Sequence, residues 1–374
     1  MALRDHHLSD DDLSSYFPEN SGKQLDDNIR AAALIKQQTD PDTGWRRLIN
    51  NMRSYSQNKS VIVSVKGVSV HLSLNITRTH SLTASTFEQS DAHPSESPCF
   101  LCDLDEEQKG ALTLDDRYII LANPGITIPG DLTISSIKHE FQLITGHFED
   151  MIRLSELLTD YSIFFNGALA GASSPHFHFQ AGVKDTLIGE QQINEMLKGK
   201  RIGDAHATEL FKTNKIAIYF IRNFLRPCYV CVSNDKKLSI DYYDQIYSHL
   251  LNIDREIAGI PNVPDFGHKI DLLGLDEFEP RMNIMLKYNP DSGTYMIAVF
   301  PKVFNRPFLY FEPSGKQIIL GIAIKEALGH LITCRESDFY KLKQFPEIVE
   351  AVYTDTSLNS RLTDRLNGLL KSFN

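Results

Sequence analysis

The chain has 374 residues, an apolar share of 42% and a formal net charge of −10. This length is enough for two ordinary domains or one large one, and the apolar share is typical of a globular protein. The acidic balance and the lack of a basic block argue against nucleic acid as a partner, because binding to a phosphate backbone relies on clustered Lys and Arg.

Helical patterns dominate the first part of the chain, and strand patterns begin at residue 60. Residues 8–52 are predicted to be helical, and Trp45, the only Trp, is expected to pack this segment onto the main body. Residues 61–65 and 68–74 alternate like two strands joined by Lys66-Gly67, which is a hairpin signal. Residues 85–98 are rich in Ser, Asp, Glu and Pro and predict an exposed loop.

Strands and helices alternate in the rest of the chain. The predicted strands are 118–122, 131–135, 161–166, 176–183, 217–221 and 229–232, and the predicted helices are 146–160, 191–197 and 238–259. A second cycle follows, with strands 281–288 and 294–300 around a turn and then a terminal helix. The repeated order predicts an α+β class in which each of two halves is an antiparallel sheet with helices packed on one side. The predicted units are a helical extension (1–55), a catalytic half (56–235) and a second half (236–374).

The stretch from His176 to Gln180 reads His-Phe-His-Phe-Gln and follows a run of small and polar residues that ends at Pro175. On a strand, residues two apart share a face, so the two imidazoles and the amide would line one side while the two Phe enter a core. The preceding small residues can bring backbone N–H groups close to an anion. Paired His on a strand are also typical of surface residues and of metal ligands. The two imidazoles and the run of small residues together suggest a nucleophilic imidazole beside a phosphate-sized pocket.

The run from Gly171 to Gln180 resembles the active-site motif of the histidine triad superfamily, in its transferase branch. That branch holds galactose-1-phosphate uridylyltransferase, the dinucleoside tetraphosphate phosphorylases and the GDP-hexose phosphorylases. The uridylyltransferases carry Gly-Cys-Ser-Asn-Pro-His-Pro-His-Gly-Gln, in register with Gly-Ala-Ser-Ser-Pro-His-Phe-His-Phe-Gln here. Phe177 and Phe179 depart from that pattern, and little outside residues 97–183 matches. The resemblance implies a HIT-like fold with an internal duplication.

The resemblance also implies that His178 attacks the α-phosphorus of a nucleotide sugar or dinucleoside polyphosphate. A covalent nucleotidyl-His178 would then pass its nucleotide to phosphate or a sugar phosphate. Ser173, Ser174 and Gln180 are the expected donors to the phosphoryl oxygens. The hydrolase branch usually has a third His where Gln180 stands, and Gln cannot transfer protons, which favours a transferase or phosphorylase. A hydrolase of nucleotide conjugates and a non-catalytic nucleotide-binding protein are the alternatives.

Further candidate substrate contacts lie before the motif and in the second half. Asn166 and Gly167 resemble family positions near the nucleotide, and Gly171 begins the motif itself. Asn123 is a candidate contact to base or ribose, although Asn before Pro is also an ordinary turn residue. Lys302 and Arg306 are candidates for holding an anionic acceptor, with solvated surface charge as the alternative. Three residues alternate on a predicted strand and are candidates for lining the same cleft: Arg281, Asn283 and Lys287.

A metal site is predicted from the pair Cys99 and Cys102, because a Cys-x-x-Cys turn can chelate one metal with two thiolates. In the zinc-binding uridylyltransferases, one His before the next helix and the first His of the motif complete the site. The resemblance therefore implies a structural zinc held by Cys99, Cys102, His139 and His176. Buried thiols and a helix-cap role for His139 are the alternatives, and His147 is a competing ligand.

The other cysteines and the termini bear on location. Cys228 and Cys231 lie in a strand pattern, where residues three apart point to opposite faces, so they are expected to be core residues. An odd number of cysteines argues against a disulfide framework and for a reducing compartment. The N-terminal residues lack the apolar core of a signal peptide, and no apolar run is long enough to span a membrane. We expect a cytoplasmic protein, either a monomer or a homodimer.

Overall fold

A computed structural model describes residues 3–17, 25–79, 99–257 and 279–373, and the structural statements below refer to these ranges. The loop predicted at 85–98 lies outside them. The helices are α1 (Asp10–Ser14), α2 (Asp27–Gln38), α3 (Arg46–Ser56), α4 (Phe148–Leu157), α5 (Ile188–Leu197), α6 (Lys236–Ile257), α7 (Ile324–Ala327), α8 (Glu336–Gln344), α9 (Pro346–Thr356) and α10 (Ser360–Leu370). The strands are β1 (Ser60–Val65), β2 (Val68–Leu74), β3 (Gly110–Thr113), β4 (Tyr118–Ala122), β5 (Leu132–Ser136), β6 (Tyr161–Asn166), β7 (His178–Val183), β8 (His206–Lys212), β9 (Ile216–Arg222), β10 (Tyr229–Ser233), β11 (Met282–Asn289), β12 (Thr294–Pro301) and β13 (His330–Thr333).

The described strands other than β1, β2 and β13 form one antiparallel sheet in the order β3-β4-β5-β7-β6-β11-β12-β10-β9-β8. The order 3-4-5-7-6 of one half is repeated as 8-9-10-12-11 when the other half is followed from its own outer edge. Each half also carries a helix at the same point, α4 between β5 and β6 and α6 between β10 and β11. This repeat confirms the predicted α+β class with two related antiparallel halves.

The halves meet where β6 pairs with β11, for example Phe165 with Ile284. The repeat of strand order begins at His206, ahead of the limit at residue 236 in the predicted division of the chain. That division into 1–55, 56–235 and 236–374 stays a prediction, because a continuous sheet does not by itself separate domains.

A second, smaller sheet covers part of one face of the main sheet. β1 and β2 form the predicted hairpin, in which Lys66 and Gly67 have φ angles of 51° and 84°. Two consecutive residues with positive φ are typical of the type I′ turn that suits the twist of a hairpin. β13 adds to this hairpin in parallel with β2, pairing His330 with His71.

The main sheet is buried on both faces. One apolar cluster packs α2, α4, α6 and α10 against a face that carries Phe165, Phe177 and Phe179. A second cluster packs β1, β2, α5, α7, α8 and α9 against the face that carries Phe164 and Phe300. The sequence pattern predicts helices on one side only, and the structure adds this second layer. No described helix combines the length and the apolar character that crossing a bilayer requires.

The N-terminal helices dock on this body. The side chain of Asp26 caps α2 by accepting a hydrogen bond from the N–H of Ile29 at 2.9 Å. Trp45 is buried before α3 and donates from Nε1 to the carboxylate of Asp105 at 3.1 Å. This contact fixes the extension to the loop that follows the Cys-x-x-Cys pair.

Candidate functional site

His178 opens β7, and the alternation of this strand separates its side chains as the sequence predicts. Phe177 and Phe179 are fully buried in the cluster beneath α4. His176, His178 and Gln180 consequently face the other side of the sheet, toward the second layer. The same-face arrangement of the two imidazoles and the amide is therefore present.

The ring of His178 is held in one tautomer. Its Nδ1 lies 2.8 Å from the carbonyl oxygen of His176, which can only accept, so Nδ1 carries the proton and Nε2 keeps a lone pair. Burial lowers the pKa of His178, which favours the neutral ring. Nε2 makes no hydrogen bond to a described residue. An unprotonated, oriented imidazole nitrogen is what a nucleophile requires.

Gln142 fixes the main chain of His178 from both sides. Its Oε1 accepts from the N–H of His178 at 2.7 Å, and its Nε2 donates to the carbonyl of His178 at 2.9 Å. The same Nε2 lies 3.0 Å from the carbonyl oxygen of Asn166, at the end of β6. Gln142 is not predicted from the sequence, because no periodic or motif signal distinguishes a single Gln in a loop.

The loop from Gly167 to Pro175 is tightly constrained. Gly171 has a φ of +97°, and a Cβ there would stand 2.8 Å from Oδ1 of Asn305. The N–H of Gly167 donates to the carbonyl of Met282 at 3.2 Å. The carbonyl of Ala170 accepts from Nδ2 of Asn283 at 2.7 Å. Residues of the second half therefore set the shape of the loop that precedes the motif.

A chain of amides connects the second half to Gln180. Oδ1 of Asn166 accepts from Nδ2 of Asn283 and from the N–H of Ile324, each at 2.8 Å. Nδ2 of Asn166 then faces Oε1 of Gln180 at 3.4 Å. Of the three residues that alternate on β11, only Asn283 lies here. Arg281 pairs with Asp254, and Lys287 pairs with Asp185 and Glu190.

The two serines of the loop differ in their surroundings. Ser174 is 1% exposed, and its hydroxyl accepts from the N–H of His176 at 3.2 Å and lies 3.7 Å from Sγ of Cys99. Ser173 is half-buried, and its hydroxyl makes no hydrogen bond to a described residue. Ser173 is accordingly the serine whose hydroxyl is available to a ligand.

Lys302 lies beside the loop. It is 1% exposed and donates from Nζ to the carbonyls of Ala170, at 3.1 Å, and of Ile322, and to Oδ1 of Asn305 at 3.3 Å. The structure thus places this predicted cation next to the motif. Arg306 is also buried, and its guanidinium stacks over the ring of Tyr310 at 4.0 Å from the centroid.

Asn123 takes the conformation of a turn residue. Its Oδ1 accepts from the N–H of Gly125 at 2.9 Å, and its Nδ2 lies 3.2 Å from a carboxylate oxygen of Asp131. Asp131 in turn pairs with the buried Lys325 at 2.7 Å, one residue after the Ile324 N–H that binds Asn166. The sequence analysis misses Lys325, because its partner is 194 positions away along the chain.

The four predicted metal ligands form one cluster, in which all donor atoms lie within 4.8 Å of one another. Nδ1 of His176 lies 3.7 Å from Sγ of Cys99 and 3.3 Å from Sγ of Cys102, which in turn is 3.0 Å from Nδ1 of His139. A tetrahedral site with ordinary metal–sulfur and metal–nitrogen bonds has ligand separations of about 3.3–3.8 Å. The cluster can therefore hold a metal ion with little rearrangement.

His176 presents an unprotonated nitrogen to this cluster, whereas Cys102 has to lose its proton when a cation binds. Nε2 of His176 lies 2.8 Å from the carbonyl oxygen of Ser136 and must donate to it, so the unprotonated Nδ1 faces the thiols. Burial lowers the pKa of His176 to about 4, which keeps this ring neutral. Burial and the neighbouring Cys99 raise the pKa of Cys102 to about 12, because two thiolates cannot be close without a positive charge between them.

His147, the competing ligand in the sequence analysis, lies on the other face of the sheet. Its ring stacks on Phe177 with centroids 3.8 Å apart, and its Nδ1 is 2.8 Å from the hydroxyl of Tyr118. Cys228 and Cys231 are fully buried, as expected for core residues. The described residues thus offer one Cys and His cluster of this kind, at the motif.

Comparison with known proteins identifies relatives of the fold. A family model described as a domain of unknown function (DUF4922) matches residues 34–183. A search of curated protein sequences gives no match. The crystal structure of yeast Ap4A phosphorylase Apa2 is similar to this chain with a TM-score of 0.50 at 13% identity, over 84% of this chain and 94% of the yeast chain. The structure of that enzyme in complex with Ap4A gives 0.51 at 13% identity, over 84% and 96% of the two chains.

The likeness extends over nearly the full length of the yeast enzyme, so it includes both halves of the sheet. At this identity it shows the fold and leaves the activity to be argued from the site. The fold of this chain is therefore similar to that of the yeast enzyme.

Proposed function

We propose that this chain is a nucleotidyltransferase or phosphorylase that carries a nucleoside monophosphate on Nε2 of His178. The observation that carries the proposal is the ring of His178, buried and tied through Nδ1 to a main-chain carbonyl, with Nε2 available beside a glycine-containing loop. The fold likeness to an Ap4A phosphorylase supports a dinucleoside polyphosphate as the first donor to test. A nucleotide sugar is the second.

In the first step, the lone pair on Nε2 attacks the α-phosphorus of the donor. A P–N bond forms, and the bond from phosphorus to the bridging oxygen breaks, which releases the remainder of the donor as an anion. The ring becomes positively charged, and the hydrogen bond from Nδ1 to the carbonyl of His176 stabilises this charge. In the second step, an oxygen of the acceptor phosphate attacks phosphorus, the P–N bond breaks and the neutral ring is restored.

Charge on the non-bridging oxygens has to be held by fixed donors. We assign this role to the hydroxyl of Ser173, the NH₂ group of Gln180 and main-chain N–H groups of the loop that contains Gly167 and Gly171. Lys302 adds a buried positive charge behind the same loop. Nδ2 of Asn166 donates to Oε1 of Gln180 and so helps to orient that side chain.

The remaining predicted contacts have less support from the geometry. Ser174 is turned toward Cys99, Asn123 is used by its own turn, and Arg306 stacks on Tyr310. We retain them as candidates at the edge of the site. Phosphate or a sugar phosphate is the proposed acceptor, because Gln180 cannot take a proton from water.

We propose that the ion held by Cys99, Cys102, His139 and His176 is zinc, since two thiolates and two imidazoles are the ligands that zinc prefers. Four protein ligands leave no open position, so its role is structural. The ligand set needs reduced thiols, which supports the expected cytoplasmic location.

The experiment is incubation of the purified protein with donors labelled on the α-phosphorus, with and without inorganic phosphate. The panel contains a dinucleoside tetraphosphate, a uridine and a guanosine nucleotide sugar, and a nucleoside triphosphate as a control. Labelled protein that loses its label in acid and passes it to phosphate supports the proposal. Release of nucleoside monophosphate without phosphate would identify a hydrolase, and absence of any labelling or turnover would leave only nucleotide binding.

A further inference from the structure

Asn283 is completely buried at the junction of the two halves, and its amide is used on one side only. Its Nδ2 donates to Oδ1 of Asn166 at 2.8 Å and to the carbonyl of Ala170 at 2.7 Å. Its Oδ1 is buried and has no hydrogen-bond partner. A buried acceptor without a partner is costly, so the two donated hydrogen bonds must provide something that an apolar side chain would not.

The orientation of this amide has one solution. If the amide of Asn283 were turned over, its oxygen would face two other oxygens, those of Asn166 and Ala170. Oδ1 of Asn166 accepts from Asn283 and from the N–H of Ile324, so the orientation of the Asn166 amide is also fixed. Nδ2 of Asn166 therefore points at Oε1 of Gln180. A Gln180 side chain that accepts through Oε1 presents its NH₂ group elsewhere, and that group makes no hydrogen bond to a described residue.

We propose that Asn283 is a positioning residue, which acts through Asn166 to present the NH₂ group of Gln180, rather than its oxygen, to the transferring phosphoryl group. This inference rests on the proposed function. It gives the half of the sheet without the motif a part in the reaction. Asn283 also donates to the carbonyl of Ala170, and Lys302 donates to the same carbonyl. Together the two residues hold the loop in place.

The test is the rate of nucleotidyl-His178 formation in a single turnover with saturating donor. Asn283→Leu keeps the volume and removes both donors, and Asn283→Asp keeps the shape and replaces the NH₂ group with an acceptor. We expect both variants to slow this step by about 10–100-fold, the range found when a residue that orients a reacting group is lost. Donor KM should change by no more than a few-fold, since Asn283 does not touch substrate. Met285→Leu, at another fully buried position of β11, is the matched control and should react at the wild-type rate.

Coupling to Gln180 separates positioning from packing. In a Gln180→Ala background, Asn283→Leu should slow the reaction several-fold less than it does in the wild-type background, because Gln180, one of the two groups that it positions, is gone. An equal slowing in both backgrounds, or a wild-type rate in both Asn283 variants, would overturn the proposal.

A second readout does not depend on turnover. In protein labelled with ¹⁵N-glutamine, the side-chain NH₂ pair of Gln180, assigned by its loss in Gln180→Ala, should broaden or shift in Asn283→Asp and stay unchanged in Met285→Leu. An unchanged Gln180 pair in Asn283→Asp overturns the inference even if no donor reacts with the wild-type protein. Failure of the wild-type protein to react would count only against the proposed function.

Discussion

Nδ1 of His178 is hydrogen-bonded to the carbonyl oxygen of His176, at 2.8 Å, while the ring of His176 faces the thiols of Cys99 and Cys102. The candidate nucleophile is thus tied to the main chain of a metal ligand. Any ion in the cluster would fix the backbone that selects the tautomer of His178, without itself touching the substrate. This relationship predicts that the reaction depends on the metal although no step passes through it.

Replacement of the nucleophile should abolish both labelling and turnover. His178→Ala keeps both hydrogen bonds between Gln142 and the main chain of residue 178, so the fold and melting temperature should change little. We expect the rate to fall by at least about 10⁴-fold, because the covalent route is lost. The measurement is labelling of the protein from a donor labelled on the α-phosphorus. His206→Ala, on the outermost strand β8, is the control and should label normally; a His178→Ala protein that still turns over would refute the mechanism.

Removal of one metal ligand should lower metal content, stability and activity together. Purified protein is expected to contain one zinc per chain, and Cys102→Ser should weaken zinc binding by roughly a hundredfold or more. The melting temperature should fall, since an ion in this cluster would join the segment at Cys99 to the start of the motif. Metal analysis and thermal melting provide the measurements. Cys231→Ser, at a buried cysteine outside the cluster, should retain its zinc.

Gln180→His should shift the balance from transfer toward hydrolysis. A histidine at this position can move a proton to and from water, which an amide cannot. We expect hydrolysis of the nucleotidyl intermediate without phosphate to accelerate by roughly 10²-fold or more, while transfer to phosphate slows. The measurement is the half-life of isolated labelled protein in water. An intermediate equally stable in both proteins would show that Gln180 does not set the choice of acceptor.

Asp150 makes the stability of the fold depend on pH in the acid range. It lies on α4, on the face of the sheet opposite the two motif imidazoles. Burial alone would raise the pKa of this carboxyl, but the nearby ring of His147 and hydrogen bonds from Arg117 and Tyr118 outweigh it and lower the pKa from 3.8 to about 2. Because the folded pKa is lowered, this stabilisation is present above pH 3.8 and is lost as pH falls toward 2.

The corresponding variant is Asp150→Asn, measured by denaturant unfolding at several pH values. It should lower the free energy of unfolding at pH 7 by about 1–2 kcal/mol, allowing for the half-exposed Arg117. The difference from wild type should shrink between pH 4 and pH 2. A difference that stays constant over this interval would mean that Asp150 acts through packing alone.

The motif strand and the Cys-x-x-Cys pair are predictable from sequence because their signals are local, whereas His139 and His176 as partners of that pair come from the family resemblance alone. Alternation places Phe177 and Phe179 in the core, and the spacing of Cys99 and Cys102 suits a chelate. The paired halves are predictable from the order of strand and helix signals. The edge strands β3 and β8 are not recognised, because β3 has only four residues and β8 lacks a regular alternation of apolar and polar residues. The second layer on the main sheet follows from pairings such as β2 with β13, which no local pattern encodes.

The residues that hold the site in place are not predictable either, because their contacts depend on which distant parts of the chain pair. Gln142 and Lys325 are ordinary polar residues until folding places them against His178 and Asp131. Asn283 does alternate with Arg281 and Lys287, but alternation cannot tell which of the three meets the loop. Only the pairing of β11 with β6 selects Asn283.

The pairing of β6 with β11 also sets an order of events during synthesis. The motif strand leaves the ribosome more than 100 residues before Asn283 and about 150 before β13, which at 5–20 residues per second is an interval of roughly 5–30 s. During that time the apolar strand β6 has an open edge, and such edges are prone to pair with other chains. The nascent first half therefore exposes an edge that can pair with other chains, and the proposed reaction centre is complete only after the second half has added its strands.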